Sequence, residues 1–399
     1  MVLKLSVHPA RAGTTYLNGE SVIFDVSIEN NNSSNDSSGE LVAWLCCQVH
    51  CSQTVTPSRI RLPKSKLHPS AHSSAATALD QTCSESDSIW IYSSKPSILC
   101  ADVKIASGET REFRYIEPLP VEDIVPSWIG KAVQYRYKLT VALQRPGVPI
   151  KTLTVPLRVL VLDGFASVKD GGCGGRSEFR PLNPFLSDIN SNDCRANTSC
   201  TDALEFANDL IETYTASRNY HVYNITTGIG RVGRFTILKS CYKLGDDVIG
   251  FFEFDTRGPT RCVQYLAELQ SEEDVLEEYR PKQDQSPFIS SHAKSHHFCL
   301  HTCTCQLSVQ IPISAPATFF TDLIHVRWRL HFEFVVTSDP DGVCSAYADD
   351  SVAWSAAQTL NVETLMWDLP IKVYPCRPDT LTCASIAQND VSEVSEMYV

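Results

Sequence analysis

Apolar and polar side chains alternate with a period of two along several stretches of the chain. After Ser21, for example, the apolar positions are Val22, Phe24, Val26 and Ile28. Successive side chains of a β-strand point to opposite faces of a sheet, so this alternation predicts strands with one buried and one solvated face. The same period recurs at residues 135–143, 263–269 and 326–334. Because such strands are typical of antiparallel sheets, the pattern predicts an all-β fold.

Three short patterns occur twice in the same order. They pair residues 16–22 with 242–248, residues 119–139 with 311–330, and residues 155–159 with 369–373. Repetition of this kind indicates that one structural unit has been duplicated. A chain of 399 residues is long enough for two hydrophobic cores. We therefore predict two tandem antiparallel β-sandwich domains, at residues 1–163 and 220–375.

Residues 164–219 have the composition of a disordered linker, rich in glycine, asparagine, aspartate and serine. Near residues 201–216, apolar side chains recur at helical spacing and predict one short amphipathic helix. These side chains are Ala203, Phe206, Ala207, Leu210, Ile211 and Tyr214. Two interpretations of the helix stay open: a connector that packs on one sandwich, or a helix that binds a partner.

Three further segments lack a clear period. A Ser-rich insertion near residues 52–94 and a second segment at 272–297 are predicted to be long loops between strands. The tail at residues 376–399 is polar, and we predict that it is disordered.

The formal net charge is −12, and no cluster of lysine and arginine offsets it. An acidic surface repels nucleic acid and anionic lipid, so we expect no nucleic-acid partner, and membrane association only through another protein. The chain has neither a signal-peptide pattern near its start nor an apolar run of the ~18 residues that cross a bilayer. We therefore expect a cytosolic or peripheral protein whose 16 cysteines are reduced thiols.

Gly228, Gly230 and Gly233 match the spacing of a dinucleotide-binding loop. In such a loop the glycines follow a strand and open a helix. The residues after Gly233 have strand character instead, so we interpret this segment as a glycine-rich β-turn.

A cluster of imidazole and thiol side chains is the most prominent candidate for metal chemistry. It comprises His292, His296, His297, Cys299, His301, Cys303 and Cys305. Histidine and cysteine are zinc ligands, but residues two apart in a strand point to one face and cannot surround an ion without a turn. We favour a His-rich loop that runs into a strand, with residues 305, 307, 309 and 311 facing a core, and keep zinc as the alternative.

An acidic run has the residue types of a paired-carboxylate site, but contiguous charges predict a solvated loop. The run comprises Glu272, Glu273, Asp274, Glu277 and Glu278. The sequence also lacks the nucleophile-elbow, zinc-protease and phosphate-loop motifs. We assign no catalytic, cofactor-binding or metal-binding residue and expect a protein without covalent chemistry.

Several runs closely resemble the retrograde Golgi transport (Rgp) family. They lie at residues 137–140, 155–161, 223–233, 239–248, 328–334 and 367–373. Two sandwiches in sequence, each with a Gly-acid strand start and a Pro-led closing strand, are also similar to the arrestin superfamily. The resemblance covers roughly residues 1–375 but not the Ser-rich insertion, the linker or the His/Cys segment.

The resemblance implies a function without catalysis by this chain. Members of the family are partners of a Ric-type large subunit, and the heterodimer is a guanine-nucleotide exchange factor for the Rab-six type of Golgi GTPase. It therefore implies a regulatory subunit in retrograde endosome-to-Golgi vesicle transport, cytoplasmic and peripheral on the Golgi membrane. The alternative is an arrestin- or retromer-like cargo or receptor adaptor without exchange activity. No proline is followed by another, so the P-P-x-Y motif of α-arrestins is absent.

Overall fold

The computed structural model describes residues 3–31, 39–63, 88–162, 200–216, 220–283, 285–338, 360–380 and 395–398. The strands before residue 163 are β1 (Leu3–Pro9), β2 (Thr15–Leu17), β3 (Ser21–Asn30), β4 (Glu40–Val55), β5 (Ser88–Ser93), β6 (Ser97–Ile105), β7 (Thr110–Pro118), β8 (Trp128–Ile129), β9 (Val133–Gln144) and β10 (Lys151–Leu160). An α-helix, α1 (Cys200–Ala216), precedes the second group of strands.

The strands after α1 are β11 (His221–Thr226), β12 (Arg231–Ile237), β13 (Cys241–Lys243), β14 (Asp247–Phe254), β15 (Arg261–Val275), β16 (Phe288–Phe298), β17 (Thr304–Gln310), β18 (Phe319–Phe320), β19 (Ile324–Thr337), β20 (Val362–Tyr374) and β21 (Ser395–Tyr398). A short 3-10 helix, Glu277–Tyr279, lies between β15 and β16. Strands dominate the described residues, so the predicted all-β class is confirmed.

The main paths of the sheets correspond between the two halves, although β6, which pairs with β4 in the first half, has no counterpart among the described strands of the second. The first half has the orders β21-β1-β3-β7 and β2-β10-β9-β4-β5, and the second has β11-β12-β14-β17 and β13-β20-β19-β15-β16. In each half the short strand β2 or β13 runs parallel to its neighbour β10 or β20. The duplication predicted from sequence is thus present in the topology. Only β21 breaks the order along the chain, because it fills in the first half the place that β11 fills in the second.

The repeated Gly-acid step forms the same turn twice. Gly19 has φ 78° and Gly245 has φ 89°, a left-handed conformation that glycine adopts without a Cβ penalty. The acid after each glycine caps the strand just before the turn: Glu20 Oε2 accepts a hydrogen bond from Leu17 N at 2.9 Å, and Asp246 Oδ2 accepts one from Lys243 N at 3.2 Å. The repeated sequence pattern therefore forms the same hydrogen-bonded turn in both halves.

The two hydrophobic cores interlock across the halves. The first core takes in six residues of the second half, which are Val275, Tyr279, Phe319, Leu323, Ile324 and Val326. The second core takes in Leu17, Leu160 and Leu162 of the first half. Separating the halves would expose apolar surface of both cores, which opposes independent motion.

Helix α1 packs on the chain itself. Ala207 and Ile211 are fully buried in the second core, and the ring of Tyr214 stacks on that of Tyr374 at 5.4 Å. This is the arrangement that the connector interpretation predicted. Among the helices that the structure describes, none is both long and apolar enough to cross a membrane.

Three sequence predictions need correction. The tail at 376–399 is not wholly irregular, because β21 pairs antiparallel with β1 and Lys4 forms a 2.8 Å ion pair with Glu396. The segment 272–297 is not one loop, because β15 continues to Val275 and β16 starts at Phe288. The Ser-rich insertion is shorter than predicted, since β4 extends to Val55 and β5 begins at Ser88. Residues 64–87 and the predicted linker at 163–199 lie outside the described residues.

Buried tyrosines predict a loss of stability at high pH. Burial raises the pKa of Tyr16 and Tyr92 to about 12, whereas an unfolded tyrosine titrates near ~10. Between these values the unfolded chain releases phenol protons that the folded chain keeps, so the stability these groups contribute is present below pH ~10 and falls up to about 12. Thermal melts across this range should show a falling midpoint, and Tyr16→Phe should weaken the dependence. A midpoint that stays constant up to pH ~12 would contradict the assignment.

Candidate partner-binding surfaces

Glu273 on β15 links the second half to the first through hydrogen bonds. Its side chain points inward, and the residue is only 4% exposed. Its Oε2 accepts a hydrogen bond from Lys131 N at 2.6 Å, while Oε1 accepts bonds from Ala132 N at 3.0 Å and Val133 N at 3.1 Å. The donors all belong to the segment that leads into β9 of the first half. A carboxylate tolerates burial when its oxygens are satisfied in this way.

Aromatic and hydroxyl contacts surround this junction. The Trp128 ring meets that of Phe319 edge-on at 5.7 Å, and Tyr135 Oη lies 3.2 Å from Thr321 Oγ1. At Gly130 a Cβ atom would overlap the side chains of Trp128 and Glu273, so the close approach requires glycine. The junction is therefore a packed interface that holds the sheets in a fixed relation. The interpretation of Glu273 as part of a solvated loop was wrong.

The His/Cys cluster is spread along β16, the turn after it and the start of β17, and the two strands belong to different sheets. His292 lies 4.5 Å from the Trp328 ring, stacked on it, and 2.8 Å from Ser271 Oγ. Burial lowers the pKa of His292, which favours the neutral imidazole. The ring of His297 stacks instead on Tyr265 at 5.3 Å. The predicted His-rich loop is thus a strand, β16, whose imidazoles have separate partners.

The cysteines of the cluster also have separate surroundings. Cys299 is buried and its Sγ lies 3.6 Å from the carbonyl oxygen of Cys262, while Cys305 Sγ lies 3.2 Å from Tyr265 Oη. The inward positions 307, 309 and 311 are buried, as predicted. In the part of the chain that the structure describes, no group of three or more His, Cys, Asp or Glu side chains is placed to hold a metal ion.

The thiols of β4 are poorly suited to nucleophilic chemistry. Burial raises the pKa of Cys46 to about 11 and raises those of Cys47 and Cys51 further. Since the thiolate is the reactive form, such thiols stay protonated and unreactive near neutral pH. The ten cysteines whose side chains the structure describes are free.

The segment whose glycines match the spacing of a dinucleotide-binding loop contains a turn between two strands. Thr227 N donates to Gly230 O at 2.8 Å, and Gly230 N donates to Thr227 Oγ1 at 3.1 Å, which closes the turn between β11 and β12. Gly233 follows within β12, where a Cβ atom would lie 2.7 Å from the carbonyl oxygen of Glu253 on β14. The close approach of strands accounts for Gly233, and the β-turn interpretation of the segment is confirmed.

The outer face of the second large sheet carries a balanced charge network. Arg329 on β19 forms ion pairs with Glu272 at 2.5 Å and with Asp368 at 3.1 Å. His331 Nδ1 lies 2.6 Å from the other oxygen of Asp368. Lys294 on β16 pairs with Glu268 at 3.0 Å. Arg329 and Lys294 thus have their carboxylate partners within the chain.

The outer face of the first large sheet carries two adjoining cavities. The smaller, about 200 Å³, is lined by Ser52, Trp90 and Lys138, among others. The larger, about 610 Å³, lies where β10 separates from β9 and reaches the second half. Both are lined by Arg136, and the larger also by Arg158. Exposed apolar side chains elsewhere include Phe298 on β16 and Met366 on β20.

Comparison with known proteins shows to which family this chain belongs. The family model Rgp1 matches residues 20–165 and 176–337. The chain belongs to the Rgp1 family. Among curated proteins, the chain is 35% identical to human "RAB6A-GEF complex partner protein 2" over 384 residues, which covers 94% of this chain and 95% of the relative. The bovine protein of the same name is 35% identical over 369 residues, covering 90% and 91%.

The family assignment made from short sequence runs is therefore confirmed. The matched residues of this Rgp1-family chain take in both halves, including β15, β19 and the turn between β11 and β12. The matches also run through residues 52–94, where sequence reasoning had found only an insertion.

Proposed function

We propose that this chain is a non-catalytic regulatory subunit of a heterodimeric guanine-nucleotide exchange factor for a Rab6-type GTPase. Its partner would be a Ric-type large subunit, and the complex would act in retrograde endosome-to-Golgi vesicle transport. The observation that carries the proposal is identity of 35% over 94% of the chain to a protein named as a partner in a RAB6A exchange complex. Similarity over nearly the whole of both chains supports the same role for the whole scaffold.

The geometry suits this role because exchange requires binding and no covalent step. A factor that prefers the nucleotide-free GTPase must weaken nucleotide affinity by the same factor, since the coupling of two ligands is reciprocal. Rigid surfaces are needed to present such contacts, and the junction at Glu273 with its interlocked cores supplies rigidity. The buried, protonated thiols and the separately partnered histidines fit a subunit without chemistry of its own.

The same proposal includes a cytoplasmic protein that is peripheral on the Golgi membrane. The net charge of −12 opposes direct adsorption on anionic lipid, so recruitment would come through the complex. This location follows from the proposed partners.

The decisive experiment is reconstitution with a Ric-type large subunit. Copurified as a stoichiometric pair, the two chains should accelerate release of labelled GDP from a Rab6-type GTPase, and either chain alone should do so much less. A Rab GTPase of another compartment serves as the specificity control. A pair that forms but leaves GDP release at the rate of the GTPase alone would overturn the exchange function. Capture of membrane receptors by such an inactive chain would favour the adaptor alternative.

A further inference from the structure

The internal duplication allows the charges of the two large sheets to be compared position by position. Pro156 lies opposite Lys138 in the first half as Pro370 lies opposite Arg329 in the second. Lys138 is therefore the counterpart of Arg329. On the same registers Arg136 is the counterpart of Arg327, since Ser52 lies opposite Arg136 and Glu272 opposite Arg327.

The carboxylates that satisfy Arg329 have no equivalent in the first half. By register, the position of Glu272 on β15 is taken by Ser52 on β4. The position of Asp368, opposite His331 on β19, is taken by Thr154, opposite Thr140 on β9. One copy of the sheet thus places two carboxylates around its cation, and the other copy places two hydroxyl groups there. Both hydroxyl residues line the smaller cavity.

The three cations that line the two cavities, Arg136, Lys138 and Arg158, have no carboxylate partner among the described residues. Lys138 Nζ lies 4.8 Å from the centre of the Trp90 ring. Arg136 donates a 2.8 Å hydrogen bond to Gln134 Oε1. Arg158 is half-buried and donates only to backbone carbonyls, the shortest contact being 3.1 Å to Ala315 O. Carbonyl oxygens orient a guanidinium but do not neutralise it, so an incoming anion would gain from all three charges.

The two cavities form one path along these cations. They share Arg136, Tyr137 and Pro156 as lining residues, and none of the described residues that line either one is aspartate or glutamate. On a chain with net charge −12, a recessed surface that contains only positive and neutral side chains is a local exception. A ligand that complements this recessed surface in charge is therefore an anion.

We propose that this path, the first-half basic groove, binds an extended acidic segment of a protein partner. Arg136 and Lys138 are two residues apart on β9, so their Cα atoms are separated by roughly 6–7 Å. Acidic residues at alternate positions of an extended segment have the same spacing. Arg158, on β10, continues the row toward the second half, and Ser52 and Thr154 offer hydroxyl donors to further carboxylate oxygens.

The shape of the groove favours a peptide over a membrane. Lys138 lies against Trp90 and Arg158 is half-buried, so neither protrudes toward a flat surface. Membrane attraction depends on clustered basic residues at the surface. A single phosphate would meet one or two of the three cations, whereas a segment of several residues spans the path.

Binding can be measured with the full-length chain and a labelled ten-residue peptide of alternating glutamate and serine. We expect saturable binding that weakens as salt is raised, and no binding of the matched glutamine–serine peptide. Inorganic phosphate and vesicles containing phosphatidylserine are the competing probes. Binding of those vesicles without binding of the acidic peptide, or equal binding of both peptides, would overturn the proposal.

The informative variant copies the second half into the first. Ser52→Glu with Thr154→Asp supplies the missing carboxylates and should weaken the acidic peptide by at least about tenfold while the thermal midpoint stays the same or rises. Arg136→Gln should also weaken binding. Arg327→Gln, the counterpart of Arg136 in the other half, is the matched control and should leave binding unchanged. Undiminished peptide binding by the folded double variant would refute the groove as the site.

Discussion

Replacing Glu273 with alanine is expected to destabilise the protein more than any other single change in its acidic run. The substitution removes the acceptor of three backbone N–H groups, at Lys131, Ala132 and Val133, in a site that is only 4% exposed to solvent. Ala132 and Val133 are buried, whereas Lys131 is exposed and its N–H can bond to water instead. Each buried donor left without a partner costs about 1–3 kcal/mol, so a total loss of at least about 2 kcal/mol is expected. The thermal midpoint should fall by on the order of 10 °C.

Glu278 provides the matched control, because it belongs to the same acidic run but is exposed. Glu278→Ala should change stability by no more than about 0.5 kcal/mol. Limited proteolysis should also cut Glu273→Ala faster around residues 128–133, since the segment loses its anchor. If the two variants melted at the same temperature, the hydrogen bonds of Glu273 would not be what stabilises the junction between the halves.

The error about Glu273 has a physical origin. A strand is recognised from sequence by apolar residues at every second position, and β15 keeps that signal through Ala267 and Leu269. Beyond them the inward positions are Ser271 and Glu273, which are buried because hydrogen bonds from other segments satisfy them. Those donors are up to 142 residues away in the chain. The alternation with a period of two continues through these residues, but it could not be recognised from the sequence because their inward side chains are polar.

The duplicated sheets could be predicted because each copy carries local signals. Gly19 and Gly245 require the same turn, and Pro156 and Pro370 occupy the same register. The pairing of β21 with β1 could not, since it joins chain segments almost 400 residues apart and β21 has only four residues. The first-half basic groove could not be predicted from the sequence either, because it depends on cross-strand register. That Ser52 and Thr154 stand where the second half has carboxylates is apparent only when these positions are aligned with Glu272 and Asp368.

Replacing Phe252 with alanine is expected to give a loss of comparable size for a different reason. Phe252 on β14 is fully buried in the second core, where its ring centre lies 4.5 Å from those of Phe235 and Tyr265 and 5.7 Å from that of Phe332. Truncation would leave a cavity among these rings and remove edge-to-face contacts. Such substitutions cost about 3–5 kcal/mol, measurable by chemical or thermal unfolding.

Phe251, the preceding residue, is the sharpest control for this effect. It has the same side chain on the same strand but is 42% exposed, because successive residues of β14 face opposite sides of the sheet. Phe251→Ala should therefore cost only a small part of what Phe252→Ala costs, with both variants measured under one condition. Similar losses would mean that the two faces of β14 are equally buried, contrary to the alternation from which the fold was predicted. A large difference would tie that alternation directly to the energetics of the second core.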